Sequence, residues 1–321
     1  NLKSMLSKMN IPKISNIGNI INLIITDAEG SKQIKKSKIV KDLKKFTSLE
    51  IFVLDDKISK IIKSDHLSSF FYMKYGIIDH GNIFFAKGAN ANLFSIPVDS
   101  VVADGSMNNL ANYLEEGYHC CGGGNIVANT ETFRKHFNDN YKNKNFITIK
   151  SKDLANIALR NAHHYFKSQE VAIRNKSFGK HPRELFFPLE NGLKIKSVFI
   201  HPLILSNEAI KKYTRPHFAN IDYGLIPRIF DNINDIKIAN PSEVYINNFA
   251  SSKRIFETTG KIFDPFTFIE EHKNAFLIQL KLFNYEQILP CDDTLLGEAI
   301  KNSDEQIEKI NLAFNKRISL S

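Results

Sequence analysis

Residues 97–107 read PVDSVVADGSM, the strongest local feature of the chain for chemistry. Asp99 and Asp104 are five positions apart around an apolar run, followed at once by Gly105 and Ser106. Carboxylates at the carboxyl end of a strand can hold a hard divalent cation, Mn or Mg, that bridges phosphates. A helix starting near Ser106 would turn its first N–H groups toward an anion such as a diphosphate. The structural alternative is an ordinary N-cap at Asp104 or Ser106, with Gly105 relieving the turn.

The remaining candidates are single side chains. His201 sits in FIHPL after an apolar run, where an imidazole can act as a metal ligand, a base or a phosphate contact. His80 lies in a helical stretch, His163 and His164 near the end of another, and Asp222 in the loop IDYG. The HExxH, GxGxxG, GxxxxGK[ST] and GxSxG patterns are absent, so Gly122, Gly123 and Gly124 resemble a phosphate loop only loosely. Cys120 and Cys121 are adjacent and no CxxC exists, which argues for buried reduced thiols rather than a metal pair.

Strands and helices must hold these groups in place. Apolar β-branched runs predict strands over 19–26, 49–54 and 92–96, and a further strand within 118–128. Helical spacing predicts helices over 1–9 (stopped before Pro12), 34–46, 66–88, 106–116 (closed by Gly117) and 130–137. This alternation predicts a mostly parallel central sheet with helices on both faces, and Asp99 and Asp104 at its carboxyl edge. Beyond residue 140, helices are expected over 153–166, 265–282 and 294–318. A hairpin is expected around Glu190-Asn191-Gly192, and a short strand within 240–249.

The 321 residues are 43% hydrophobic with a net charge of +9, enough for a sizeable core and a surface suited to phosphate-bearing partners. Lys is dense over 30–45, but apolar residues recur there at helical spacing, which reads as a solvated helix face. No nucleic-acid motif accompanies it, so nucleic acid is not expected as a partner; peripheral contact with an anionic membrane is compatible with the charge. With no run of 18 apolar residues and no signal peptide, the expected setting is cytoplasmic.

Taken in order, several segments resemble a known family. They are NLKSMLSKMNIPKISN, LEIFVLDD, the stretch with His80, PVDSVVADGSMNNL, DLANIALRNAHHYF, HPRELFFPLENG, VFIHPLIL and FANIDYGLI. Together, over roughly residues 1–250, they resemble bacterial glycosyltransferase-like domains of the nucleotide-sugar, GT-A-like type. The resemblance implies a Rossmann-like α/β domain with a β-hairpin and a helical C-terminal extension. It divides the chain into a nucleotide-sugar half (1–140), an acceptor and catalytic half (141–260) and the extension (261–321). It implies sugar transfer from a nucleotide-sugar donor to a hydroxyl on a glycan, lipid-linked or protein acceptor, as in surface-glycan or glycoprotein synthesis. Asp104, His201 and Asp222 would be catalytic; Asp99, Gly105, Ser106 and His80 would contact the donor; Asp99, Asp104 and His201 would hold the cation. The strict Asp-x-Asp of such enzymes is absent. The alternatives are a catalytically silent nucleotide- or sugar-binding module of the same fold, and a metal-dependent hydrolase with clustered His and Asp ligands.

Overall fold

The computed structural model describes residues 2–63, 80–96, 99–123, 127–141, 145–163, 184–189, 192–197, 201–213, 229–230, 233–253, 286–289 and 312. Two single-turn helices come first, α1 (Leu2–Met5) and α2 (Ile11–Ile14). The single helix expected over 1–9 is therefore shorter, and Pro12 lies inside the first turn of α2. Its missing N–H costs nothing there, because the first helical N–H groups lack intrahelical partners.

Next come β1 (Ile21–Thr26) and β2 (Ser48–Val53), which pair in parallel from Ile21 opposite Ser48 to Thr26 opposite Val53. Their crossover contains α3 (Ala28–Lys36), whose first turn is capped by Asp27 accepting from the Gly30 N–H at 2.6 Å, and α4 (Lys38–Leu43). One helix was expected over 34–46; Ser37 interrupts it with extended backbone at φ −68° and ψ 129°.

The chain continues through α5 (Asp56–Lys63), α6 (residues 80–88), β3 (Leu93–Phe94), β4 (Ser100–Val102), α7 (Ser106–Glu115) and β5 (Cys120–Gly123). Gly117, at φ 97°, ends α7 as its residue type requires. Then follow β6 (Ala128–Asn129), α8 (Thr130–Tyr141), α9 (Ser151–Arg160), β7 (Glu184–Leu189), β8 (Gly192–Ser197), β9 (His201–Leu205) and α10 (Asn207–Lys212). The strands β10 (Ile236–Ile238), β11 (Ile246–Ala250) and β12 (Glu286–Leu289) complete the described elements.

The described strands form small sheets of mixed direction, not the mostly parallel central sheet expected. In the order β10-β5-β9-β3, β10 runs parallel to β5, while β9 runs antiparallel to both β5 and β3. In β4-β11-β6, the first pair is antiparallel and the second parallel. The expected hairpin is present as β7–β8, with Leu189 opposite Gly192. β12 adds an antiparallel strand beside β8, so the C-terminal extension contributes a strand; the helices expected over 265–282 and 294–318 lie outside the described residues.

Alternation along β5 divides the core in two. Cys120 packs with Leu205, Ile236, Ile83 and Ala86 of α6, and Ala209 and Ile210 of α10. Cys121 faces the opposite cluster, with Ile204, Met107, Leu110 and Tyr113 of α7, and Leu6 and Ile11 of the N-terminal segment. Helices thus cover both faces of this sheet. Each fully buried aliphatic side chain contributes roughly 1.5–3 kcal/mol.

Pro202 lies within β9, although proline removes a ladder donor. The partner strand resolves the conflict: its register shifts between Cys121 and Gly122, where Gly122 faces Pro202. His201 therefore opens a strand, whereas the sequence suggested that it follows one. Among the described residues, no helix is long and apolar enough to cross a membrane.

Candidate functional site

β4 delivers the chain into the turn Ala103-Asp104-Gly105, and α7 carries it away. Gly105 has φ 89° and ψ −14°, a left-handed conformation costly for any residue with a Cβ. Around this turn lies a buried polar lattice. Val102 N–H donates to Ser4 Oγ at 3.0 Å, Ala103 N–H to Tyr245 O at 2.9 Å, and Asp104 N–H to Ile149 O at 2.7 Å. Asn10 sits at its centre. Its Nδ2 lies 3.0 Å from Ser4 O, 2.9 Å from Ser7 Oγ and 3.0 Å from Ala103 O, while its Oδ1 accepts from Met107 N–H at 3.0 Å. Ser4, Ser7, Asn10 and Ser106 expose no surface.

This geometry assigns the residues of the motif different places. Ser106 Oγ accepts from Tyr245 N–H at 3.0 Å and lies 3.4 Å from Ser151 Oγ; fully buried, it braces the turn from inside and offers no surface to a donor. The first-turn N–H of Met107, expected to favour a diphosphate, is taken by Asn10. Asp104 does not cap α7. It is partly exposed, and its Oδ1 accepts from Met9 N–H at 3.0 Å; its other oxygen has no partner among the described residues. The result is a carboxylate at a strand–helix turn, oriented by one bond and able to accept from a hydroxyl.

The other candidates do not all converge on it. Asp99 precedes β4 and Asp104 follows it, so the two carboxylates stand at opposite ends of that strand rather than side by side. The Asp99 carbonyl accepts from Phe249 N–H at 3.1 Å. His201 is half-buried at the start of β9, opposite Gly123 of β5. His80 belongs to α6, where its Nδ1 lies 2.5 Å from Tyr213 Oη; Tyr213 packs in the cluster on the face of the sheet opposite α7. Asp222 and His164 lie outside the described residues. His163 is buried, with Nε2 3.0 Å from Ser251 O.

Gly122 and Gly123 are strand residues. A Cβ on Gly123 would stand 2.9 Å from Leu203 Cδ1, so close strand packing accounts for that glycine. Among the described residues, no group of three or more His, Cys, Asp or Glu side chains could hold a metal ion. Asp99, Asp104 and His201 therefore do not make a three-ligand cation site, and the clustered ligands of the hydrolase alternative are likewise missing among the described residues.

Three arrangements had no strong local signal. Asn10 is one; its sequence context reads only as a polar residue shortly before a proline. Second, Tyr113 Oη donates to Glu243 Oε2 at 2.7 Å, and burial followed by that carboxylate raises its pKa. Lys237 Nζ covers the Tyr113 and Tyr118 rings at 5.1 and 5.0 Å from their centroids. Third, exposed Glu131 accepts from Ser252 N–H at 3.0 Å and Ser251 Oγ at 2.8 Å, and these bonds lower its carboxyl to about 2. Comparison with protein-family models, curated proteins and solved structures gives no match.

Proposed function

We propose that the chain is a cytoplasmic glycosyltransferase of the GT-A-like type, moving a sugar from a nucleotide-sugar donor to a hydroxyl on a glycan, lipid-linked or protein acceptor. The observation that carries this reading is Asp104: a partly exposed carboxylate at a strand–helix turn, fixed by a buried lattice rather than by a mobile loop. Rigid placement of a polar group is what catalysis by orientation requires. In the reaction, the anomeric C–O bond to the diphosphate breaks and its electron pair leaves with the diphosphate. The acceptor oxygen forms the new bond and gives up its proton to a general base or to the departing diphosphate.

Asp104 accepts a hydrogen bond from a donor-sugar hydroxyl and so orients the anomeric carbon. His201 and Asp222 belong to the same reading as residues of later segments, acting on the leaving diphosphate or the acceptor. The described side chains do not assemble a cation site, so no step is assigned to Mn or Mg.

A second reading, a silent nucleotide- or sugar-binding module, is favoured by the missing Asp-x-Asp and by the lack of a three-ligand cation site among the described residues. Thermal-shift titration with nucleoside diphosphates, with and without manganese, tests both, because a ligand of the native state raises the melting point by mass action. Neither reading survives if no nucleotide or nucleotide sugar shifts the melting point. Release of nucleoside diphosphate from the donor then separates the transferase from the silent module.

A further inference from the structure

The chain's positive charge is unevenly distributed. Residues 1–63 carry thirteen lysines against six acidic residues, +7 of the total +9. Seven of those lysines fall within 28–46, which has only Glu29 and Asp42 in opposition. On and after α4, Lys38, Lys41, Lys44 and Lys45 are all exposed, while Val40 and Leu43 of the same helix are buried. Lys45 pairs with Asp42 at 2.7 Å yet keeps 66% of its side chain exposed.

Exposed apolar residues lie close to this charge along the chain and where β1 and β2 enter their sheet. Parallel pairing begins with Ile21 opposite Ser48, and Ser48 N–H donates to Ile20 O at 2.9 Å, so both strands enter the sheet at one end. Phe46 lies two positions before β2 and Ile17 four before β1, which places both at that end. Ile17 is 55% exposed, Ile21 44% and Phe46 37%. Lysines alone would suit any polyanion; lysines beside exposed apolar side chains match the headgroup–acyl boundary of an anionic bilayer.

We infer that Lys38, Lys41, Lys44 and Lys45, with Phe46 and Ile17, form a docking surface for an anionic membrane. The lysines meet lipid phosphates and the two apolar side chains enter the boundary below them. α4 adjoins the N-terminal segment whose Met9 N–H binds Asp104, so docking would bring the Asp104 turn near the membrane surface. The surface itself does not depend on the transferase reading.

The test is co-sedimentation of the full chain with vesicles of phosphatidylcholine, alone or with about one-third phosphatidylglycerol, at low and high salt. Binding is expected only with phosphatidylglycerol and should weaken with salt. Replacing the four lysines together (K38Q, K41Q, K44Q and K45Q) should weaken it roughly fivefold per lysine, several hundredfold in all. Phe46→Ser should weaken it by about tenfold. A charge-matched variant carrying K135Q, K152Q, K211Q and K253Q should stay within about fivefold of the parent, because these lysines lie outside the patch. Equal melting temperatures would exclude unfolding as the cause. The inference is overturned by no sedimentation with anionic vesicles, or by equal loss in the charge-matched variant. It is also overturned if Phe46→Ser leaves vesicle binding intact while duplex DNA binds at least as tightly, which would mark a nucleic-acid surface.

Discussion

Replacing Asn10 by Ala removes a side chain that touches no solvent and links three parts of the chain. Three contacts are lost at Nδ2, to Ser4 O, Ser7 Oγ and Ala103 O, and one at Oδ1, from Met107 N–H. The amide has two N–H groups to share among the three Nδ2 contacts, so about three bonds are lost, ~3 kcal/mol in all; stranded partners raise that figure and an entering water lowers it, leaving an expected range of about 2–4 kcal/mol. Unfolding entropy near the midpoint, for a chain of 321 residues, is about 0.7 kcal/mol per degree, so the melting point should fall by about 3–6 °C. Asn10→Asp is the sharper comparison. It preserves shape and the acceptor for Met107 but turns an oxygen toward Ser4 O and Ala103 O, so its loss should be at least as large. Differential scanning calorimetry of the two variants reads both numbers. Melting within about 1 °C of the parent for both would refute the lattice as the support of the Asp104 turn.

Two further outcomes are expected. Glu131 is held near 2 when folded against an ordinary 4.5, first by Ser252 N–H and then by Ser251, so its contribution is complete above about pH 4.5 and lost as pH falls toward 2. The melting-point gap between the parent and Glu131→Gln should therefore shrink across that window; a constant gap would show that the carboxylate charge is irrelevant. Burial raises the Cys121 thiol to about 12 and moves Cys120 upward as well, so in a Cys291→Ser background neither should react with a thiol reagent at neutral pH until the chain is denatured. Rapid labelling of the native protein would contradict the burial of β5.

Local chemistry made much of the secondary structure readable from the residues. The runs at Ile21–Thr26 and Ser48–Val53 are strands, as their β-branched and aromatic residues favour, although both are only partly buried, and Gly117 ends α7 at a positive φ that its residue type supplies. Opposite placement of Cys120 and Cys121 follows from strand alternation alone. Sheet direction was hidden, because β9 enters between β5 and β3 from nearly eighty residues beyond the end of β5 and no local pattern states its orientation. Ser37 breaks a helix without proline or glycine, so no residue type in the sequence marks the break. At the candidate site, Asp104 and Gly105 were readable as a strand–helix turn. The burial of Ser106 and the use of Met107 N–H were not, because the partners that decide them, Tyr245 and Asn10, lie 139 and 97 positions away.

The most direct test of Asp104 as the donor-orienting carboxylate is turnover by Asp104→Asn. Asn keeps an Oδ1 that can accept from Met9 N–H, so the melting point should stay within about 1–2 °C of the parent. The negative charge and its acceptor strength toward a sugar hydroxyl are lost. Nucleoside diphosphate release from a panel of nucleotide sugars, normalised to folded protein, should then fall by roughly 10²-fold or more for the donor that the parent turns over. Full turnover by the variant, or no turnover of any donor by the parent, would contradict the transferase assignment at Asp104.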